Sequence, residues 1–389
     1  MAIKSVIISS NQRYPCFYSK QFLSYSPMIK NLKALFFGLI VALVLCEIVL
    51  RIYNPFSTYT KQGKLVLPAN QKTVFQNKWI AQLDKEIYYS RNALGFRGPA
   101  PTDSISKLNS IISIGGSTTE CKFLSDSTTW PFLLGEALKD SIPDVWLNNA
   151  GIDGHSTFGH LHLLKEYVLK LKPKYILLLT GVNDVETEQP ESFDLMNDNR
   201  VHYNSFKQFF KSVLNKTEIG STFFQFYAIR LAYKKGLIHK EVDFKHLPDT
   251  TFSAAYMQET VTKQKPYLSG YQTRLQEIIT LCKANNIKPV LLTQPSLYGA
   301  YTDSTTGIKM DTKYFGDNSS MNNLLQEQVL EEYNHVVRSF ANQATVIDLS
   351  KLMPKNTAYY YDFIHFNKAG AKKVAAIVAP ALQQILYRH

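Results

Sequence analysis

Four short stretches of this chain carry residue types that can perform acyl-transfer chemistry. The first is GGSTT (115–119), where two glycines precede a serine. Glycines let the backbone turn sharply out of a strand, so the Ser117 hydroxyl can stand exposed at the start of a helix as a nucleophile. The stretch differs from the G-x-S-x-G nucleophile elbow because Thr119 occupies the second glycine position. By itself such a sequence is more often an ordinary turn.

Two further stretches supply groups that can stabilise an oxyanion. NAG (149–151) has a glycine, Gly151, whose amide N–H can point into a crevice. GVND (181–184) has Asn183, whose side-chain amide can serve in the same way, while Asp184 can brace the loop. Gly, Asn and Asp are common turn formers, so each stretch alone is also compatible with a plain turn after a strand.

The fourth stretch pairs an acid with a base. Asp362 precedes His365 by three residues in DFIH, and FNKAG and a final helix follow. A carboxylate at this spacing can hold the imidazole in one tautomer and leave its other nitrogen free as a base. A capping Asp beside a surface His is the structural alternative. Taken together, the four stretches provide a nucleophile, oxyanion donors, an orienting acid and a base.

The apolar pattern of the chain predicts which elements position these stretches. Short apolar runs alternate with helical patterns, which indicates a parallel sheet with helices on both faces. Strands are expected at 111–114, 145–149, 175–180, 289–293 and 345–349, and helices at 130–138, 158–171, 271–284, 324–340 and 369–386. The first three stretches each follow a strand and the fourth precedes the last helix, so the carboxyl edge of the sheet is the predicted site.

The four stretches resemble the blocks of the SGNH (GDSL-like) hydrolase superfamily, whose name lists its Ser, Gly, Asn and His. The resemblance covers about residues 109–389, and Arg97-Gly98 is similar to membrane-anchored members. Gly116 stands where the name-giving motif has Asp, a variation tolerated among anchored relatives. The resemblance implies an α/β protein with the three-layer α/β/α, flavodoxin-like fold and a parallel sheet.

The resemblance also implies residue roles. Ser117 would be the nucleophile, His365 its base and Asp362 the acid that orients His365. The oxyanion hole would consist of the Ser117 amide, the Gly151 amide and the Asn183 side chain. No metal and no cofactor would be required. Ser117 would attack an ester carbonyl, and water or a sugar hydroxyl would then take the acyl group from the enzyme.

Two other chemistries compete for the same region of the chain. His155, His160 and His162, with Asp153 nearby, suggest a metal site, but the second and third histidines fall about 200° apart on a helix and do not share a face. Cys121 has no evident paired base, and a buried thiol is the simpler interpretation.

One long apolar stretch lies near the N-terminus. Ala34–Cys46 is an uncharged run of 13 residues, preceded by Lys30 and Lys33, and apolar residues continue at 48–50 beyond Glu47. No small-x-small cleavage site follows. This pattern favours an uncleaved signal anchor whose lysine side faces the cytoplasm, with a cleaved signal peptide as the alternative.

The expected organisation follows from these assignments. Residues 1–27 form an N-terminal tail, 28–53 the signal-anchor helix, 54–108 a lead-in segment and 109–389 the hydrolase domain. Met28 is an alternative start of the chain. An aromatic-rich interval at about 187–267 interrupts the strand–helix rhythm and predicts a helical cap inserted over the site. The catalytic domain is expected outside the cytosol, in the periplasm or at the cell surface.

Composition limits the classes of partner. The net charge is +12, but no Lys/Arg run with interleaved aromatics stands out after the N-terminal segment, which argues against nucleic acid. The four cysteines are far apart and contain no C-x-x-C, so they indicate neither a disulfide scaffold nor a zinc site. The expected partners are a small-molecule or glycan ester, and the membrane through the N-terminal helix.

The function expected from the sequence is that of a serine esterase acting on carboxylic esters, with O-acetyl esters first because of the exported location. An O-acyltransferase acting on cell-envelope polysaccharide would use the same triad. A non-catalytic envelope protein that kept the fold to bind glycan is a third interpretation, which the intact Ser117, Asp362 and His365 disfavour.

Overall fold

A long apolar helix and an α/β unit make up the part of the chain that the computed structural model describes. The two units lie within residues 1–53 and 54–389. The described residues are 27–53, 60–61, 64–188, 213–214, 216–234, 239–314 and 320–387. The predicted N-terminal tail lies almost entirely outside them.

The first unit contains helix α1, Pro27–Ile52. Its Asn31–Ile52 portion, 22 residues, is long and apolar enough to cross a membrane. Arg51 donates to the Glu47 carboxylate one turn earlier at 2.7 Å, so the helix continues past the acid that ends the uncharged run. The expected apolar N-terminal helix is therefore present, with properties that anchors and signal sequences share.

The second unit is built around a five-stranded parallel sheet. Its strands are β5 (Asn109–Gly115), β6 (Val145–Asn149), β7 (Tyr175–Leu179), β8 (Lys288–Leu292) and β9 (Thr345–Ile347), and they are preceded by β1 (Thr60–Lys61), β2 (Lys64–Leu65), β3 (Gln71–Gln76) and β4 (Glu86–Arg91). The order across the sheet is β6-β5-β7-β8-β9. The chain passes from β5 to β6 on one side and then to β7 on the other side of β5, so the switch point lies between β5 and β7. The crevice at such a switch point is where ligands bind in open α/β sheets.

Helices cover both faces of this sheet. In the described residues the helices of this unit are α2 (Ser117–Glu120), α3 (Trp130–Lys139), α4 (Thr157–Leu163), α5 (Leu169–Leu171), α6 (Glu218–Lys234), α7 (Ala254–Thr262), α8 (Lys265–Ala284), α9 (Asn323–Ser339), α10 (Leu349–Leu352) and α11 (Lys368–Tyr387). A single π-helical stretch, Leu164–Val168, joins α4 to α5.

Alternate residues of each strand enter two separate apolar cores. In β7, Leu177 and Leu179 pack into a core with α3 and α11, whereas Ile176 and Leu178 pack into a core with α4, α8 and α9. All five β7 residues are buried, because successive side chains of a strand point to opposite faces and both faces are covered. The predicted three-layer α/β/α architecture is confirmed.

The lead-in segment forms a small antiparallel hairpin. β3 pairs with β4 from Gln71 opposite Arg91 to Gln76 opposite Glu86. The chain then returns to the main sheet, where Arg97 and Asn149 exchange backbone hydrogen bonds of 2.9 Å in each direction. The hairpin is thereby tied to the strand end that carries one of the predicted oxyanion donors.

The insertion predicted at about 187–267 falls partly outside the described residues. Of the described part, Val242 and Phe244 are buried in the core that also contains Phe363. The Val242 N–H donates to the Tyr361 carbonyl at 3.1 Å, and the Phe244 and Phe363 rings meet edge to face. Val242 and Phe244 are thus packed against the segment that carries the predicted Asp362 and His365.

Candidate active site

Ser117 lies at the carboxyl end of β5, as the first residue of α2. The Gly116 carbonyl accepts from the N–H of Thr119 at 3.0 Å and of Glu120 at 2.9 Å, which closes a helical turn immediately after the strand. The turn places the Ser117 hydroxyl at the sheet edge, and the residue is only 6% exposed. The N–H groups of the first helical residues have no partner within the helix, so they can donate to a ligand.

The structure brings Ser117, His365 and Asp362 into one hydrogen-bonded chain. His365 Nδ1 lies 2.6 Å from Asp362 Oδ2, and His365 Nε2 lies 2.8 Å from Ser117 Oγ. The serine and the histidine are 248 residues apart in sequence. Because a carboxylate accepts from Nδ1–H, Nε2 is the nitrogen left to accept the serine proton.

The surroundings of Asp362 favour its ionised form. Burial works to raise the pKa of this carboxyl, but His365 and two backbone N–H groups outweigh burial and hold the pKa below its usual range. Oδ1 accepts from the N–H of Ile364 at 2.9 Å and of His365 at 2.7 Å. The same tight turn therefore fixes the carboxylate and aims it at the imidazole.

Asn183 lies beside the nucleophile on the loop after β7. Its Nδ2 donates to the His155 carbonyl at 3.0 Å, which fixes the amide and leaves its second N–H available. A Cβ on Gly116 would lie 2.5 Å from that Nδ2. The glycine that replaces the Asp of the name-giving motif thus allows the Asn183 amide to approach the backbone next to Ser117.

Gly151 lies at the end of β6 against the back of α2. A Cβ there would lie 2.4 Å from the Glu120 nitrogen, so only glycine permits this packing. The Gly151 N–H donates to the Asn149 side-chain oxygen at 2.9 Å. The third predicted oxyanion donor therefore already has a protein partner, and it would have to share or exchange this bond to contact an oxyanion.

Asp184 braces the Asn183 loop, as its position suggested. Its carboxylate accepts from the Thr157 N–H at 3.0 Å and from the Thr157 hydroxyl, and Arg274 lies 3.2 Å away. The Arg274 guanidinium also stacks over the Phe158 ring at 3.8 Å. This buried group connects the loop to the start of α4 and to α8.

A second buried charge cluster holds the other end of α2. Arg91 pairs with Glu120 at 2.9 Å, and both side chains are almost fully buried. The Tyr89 hydroxyl donates to the same carboxylate at 2.7 Å. Arg97 donates to the carbonyls of Glu120 and Cys121 at 2.5 and 2.9 Å. The lead-in segment therefore helps to position the helix that carries Ser117, a contribution that the sequence did not reveal.

The alternatives weighed from the sequence occupy other environments. Burial raises the pKa of the Cys121 thiol to about 12, which disfavours the thiolate, and Sγ donates to the Thr118 carbonyl at 3.3 Å. Burial lowers the pKa of His155 well below its usual value and that of His160 to about 3. No three His, Cys, Asp or Glu side chains in the described part of the chain are grouped as metal ligands would be.

Three residues that sequence reasoning did not assign to the site contact the His365 ring or its neighbours. His239, from the segment predicted as a cap, packs against His365 with ring centroids 4.2 Å apart. Tyr361 stacks on His365 at 5.5 Å, and Asp153 bonds to His239 at 3.2 Å. Nothing in the local sequence around His239 marks it, since its partners lie 86 and 122 residues away.

Comparison with known proteins relates most of this unit to one family. The family model described as the GDSL-like lipase/acylhydrolase family matches residues 113–373. Among solved structures, an acetyl xylan esterase is 18% identical, with 70% of this chain and 99% of that chain covered and a TM-score of 0.40. An acetylxylan esterase from Geobacillus stearothermophilus is 14% identical, with 71% and 93% covered and a TM-score of 0.38. No curated protein sequence matches the chain.

Proposed function

The chain belongs to the GDSL-like lipase/acylhydrolase family, and we propose that it is a serine esterase that releases short acyl groups, acetyl first, through an acyl-enzyme. The observation that carries this proposal is the chain of hydrogen bonds from Ser117 Oγ through His365 to Asp362 Oδ2. Each group is positioned for the role that a nucleophile, a base and an orienting acid need.

In the proposed mechanism, His365 Nε2 takes the proton of Ser117 as Oγ attacks the ester carbonyl. Asp362 accepts from Nδ1–H throughout and stabilises the imidazolium that forms. The imidazolium then gives its proton to the leaving alcohol. A water molecule, activated by the same nitrogen, attacks the acyl-enzyme and releases the acid.

The oxyanion would be stabilised by the free N–H of Asn183 Nδ2 and by the Ser117 N–H, with Gly151 as the third donor. Donors fixed in advance stabilise a developing charge most, because they need not reorganise during the reaction. The His155 carbonyl fixes Asn183 in this way. Gly151 contributes once its N–H is shared between Asn149 and the substrate.

The space beside Ser117 supports a short acyl group. One cleft is lined by Ser117, His365 and Phe366 among others, and a second by Gly116, Asn183 and Gln294 among others. Each encloses only about 10 Å³. Pockets for drug-sized ligands are typically roughly 300–1,000 Å³, so a long acyl chain would not be enclosed here.

The proposed setting is the outer face of a membrane, where α1 is an uncleaved anchor and the substrate is an O-acetylated glycan. The lysines before the apolar run and the length of α1 support this orientation. Fractionation tests it, because an anchored chain stays with membranes in alkaline carbonate and is digested by protease added to spheroplasts whose inner membrane is intact. Recovery of a shortened, soluble chain would indicate a cleaved signal instead.

Turnover of p-nitrophenyl acetate by the detergent-solubilised full chain tests the esterase activity. We expect turnover that depends on Ser117 and that falls steeply from acetyl to octanoyl esters. A Ser141→Ala variant is the matched control, since the Ser141 hydroxyl bonds to the Leu138 carbonyl and the Gln383 side chain and to none of the site residues. Adding acetyl-acceptor oligosaccharides distinguishes hydrolysis from transfer, because a transferase would acetylate the sugar in competition with water.

A further inference from the structure

Helix α6 directs aromatic side chains outward and small or polar side chains inward. Glu218, Ser221 and Thr222 are 1%, 6% and 6% exposed, whereas Phe223 and Tyr227 are 63% and 57% exposed. A surface helix normally has the reverse pattern, because burial of its apolar stripe holds it on the core. The outward side of α6 therefore has the composition of a contact surface.

The outward aromatic residues lie on one stripe of the helix. Phe223, Phe226, Tyr227 and Arg230 are spaced i, i+3, i+4 and i+7, and all four are exposed. Side chains at this spacing share one face of a helix. We call these four residues the α6 face. Contiguous exposed apolar surface of this kind marks a site of contact with a protein or a membrane, whereas single exposed apolar residues do not.

Contacts at the start of α6 determine which way this face points. Thr217 Oγ1 accepts from the Gly220 N–H at 3.0 Å and donates to the Leu214 carbonyl at 2.7 Å. A Cβ on Gly220 would overlap that carbonyl, so the close approach of the two segments requires glycine. The rotation of α6 about its axis is therefore set by its first turn, and the α6 face points away from that contact.

The charges around α6 favour an anionic partner. Residues 201–240 contain seven Lys or Arg residues, spaced too widely to form a run, and one acid, Glu218. Glu218 is buried, whereas Lys216 and Arg230 are exposed. Exposed aromatic residues flanked by cations are typical of helices that lie in the interface of a membrane with anionic lipids.

The position of α6 in the fold favours a membrane over a soluble protein. α6 runs beside β1, the first strand of its unit. In the sequence, β1 follows α1 after only seven residues, 53–59, and a segment of that length spans at most roughly 25 Å. The chain that leaves the apolar helix α1 therefore enters the α/β unit at the strand against which α6 packs.

We propose that the α6 face docks on the membrane that α1 spans, with its aromatic rings at the boundary between headgroups and acyl chains and Arg230 among anionic headgroups. A basic side chain at this depth contacts lipid phosphates, while the rings bury apolar surface. The inference goes beyond the esterase activity. It rests on the proposed anchoring of α1, which brings a lipid surface to this end of the unit.

A spin label on the α6 face tests the docking in the full chain, reconstituted into vesicles of phosphatidylcholine and phosphatidylglycerol. The label is attached at Phe226→Cys in a Cys16→Ser/Cys46→Ser background, since Cys121 and Cys282 are buried. Its collisions are measured with oxygen, which concentrates in lipid, and with a nickel chelate, which stays in water. We expect oxygen to dominate, at a depth of roughly 5–10 Å. A label at position 226 that collides mainly with the nickel chelate would overturn the proposal.

Two further labelled chains make the result specific. Tyr88→Cys, in the same background, replaces an aromatic residue that is 59% exposed on β4, and its label should stay in water. An equal lipid signal at positions 88 and 226 would overturn the proposal, because the label itself would then cause the signal. The native Cys46, exposed on α1, reports the anchor when only Cys16 is replaced. Lipid contact at Cys46 with water at position 226 refutes the docking alone, and the reverse refutes the anchor alone.

The role of the stripe is tested with the label kept at position 226. Phe223→Ser/Tyr227→Ser should move the label toward water, whereas Val74→Ser/Tyr88→Ser, which removes two exposed apolar residues paired across the β3–β4 hairpin, should not. Equal shifts in both double variants would contradict a dedicated face. A label shielded from both reagents, or broadened by a second label nearby, would show a protein partner or a second copy on the α6 face and overturn the membrane assignment.

Discussion

The loop after β7 and the loop before α11 reach the same edge of the sheet, and each carries a buried aspartate with a different electrostatic situation. Asp184 is enclosed by Arg274 and Thr157, and burial nevertheless raises its pKa. Asp362 is also buried, yet His365 and backbone N–H groups overcome the burial and lower its pKa. Two similar carboxylates thus have their pKa values shifted in opposite directions.

The difference shows that the partner of a buried acid, and not its burial, determines its role. The partner of Asp362 is an imidazole whose other nitrogen reaches a serine hydroxyl, so a charge held there can assist proton transfer. The partners of Asp184 are groups that have no further reactive neighbour in the site, and they fix the loop that presents Asn183. In the proposed mechanism the loop before α11 takes part in the chemistry, and the loop after β7 holds Asn183 in position.

The largest expected effect follows the loss of the nucleophile or of its base. Ser117→Ala and His365→Ala should each lower kcat by about 10⁶-fold, because a nucleophile and its base act as a unit. The double variant should be no worse than either single one. The measurement is steady-state turnover of p-nitrophenyl acetate by proteins whose thermal unfolding matches the wild type, and additive losses would contradict a shared role.

The next effect concerns the acid of the same loop. Asp362→Asn should lower kcat by about 10⁴-fold, less than loss of His365, since the imidazole remains but is held less often in the right tautomer. The same assay measures it. A loss no greater than that in Asp184→Asn would abolish the distinction between the two loops.

Asn183→Ala tests the side-chain amide that the loop after β7 presents to the site. It should lower kcat by roughly 10²–10³-fold, with little change in KM, because an oxyanion donor contributes mainly in the transition state. Asn183→Asp is the informative companion, since it keeps the size of the side chain but replaces the donor with an acceptor. A rise in KM with kcat unchanged would instead make Asn183 a residue that binds the ground state.

The smallest effect on turnover is expected for Asp184→Ala, whose main cost is stability. Loss of the carboxylate leaves the Thr157 N–H and Arg274 without their buried partner, which should reduce the free energy of unfolding by about 3 kcal/mol. Chemical denaturation measures this. Turnover should fall less than in Asn183→Ala, because the Asn183 side chain keeps its own bond to the His155 carbonyl.

The stability losses caused by Asp362→Asn and by Asp184→Ala should depend on pH with opposite signs. The pKa of Asp362 is lowered by folding, so its contribution is present above its usual pKa of 3.8 and is lost as the pH falls through the lower folded-state value. The pKa of Asp184 is raised, so its contribution is fully present at low pH and is lost as the pH rises through the folded-state value. Denaturation between about pH 2 and pH 7 should therefore show the cost of Asp362→Asn shrinking below pH 3.8 and that of Asp184→Ala growing as the pH falls. Parallel trends would contradict the comparison.

The sequence predicts the loop before α11, with Asp362 and His365, better than it predicts the residues that hold the site in place, because the signal for this loop is local. Asp362 and His365 are three residues apart, so one turn already contains their geometry. The apolar run that predicts a strand at 175–180 is observed as β7, Tyr175–Leu179, because a strand buried on both faces must be apolar throughout. The first signal comes from local spacing, and the second from local composition.

The residues that hold the site in place do so through contacts between distant parts of the chain. Arg274 reaches Asp184 across 90 residues, and Arg91 reaches Glu120 across 29. The β3–β4 hairpin has a weak sequence signal, since QKTVFQ alternates half-buried with exposed residues and buries little apolar surface of its own. His239 has no local pattern at all, and only the fold places it on His365.

The central claim is that Ser117 becomes acylated, and a quenched-flow experiment tests it most directly. Wild-type protein mixed with p-nitrophenyl acetate and quenched in acid within the first turnovers should carry the mass of one acetyl group, located by tandem mass spectrometry on the peptide that contains Ser117. The label should persist longer in Asp362→Asn, where deacylation is slower, and be absent from Ser117→Ala. Turnover without any acetyl label in the wild type, or an equal label in Ser117→Ala, would contradict the account.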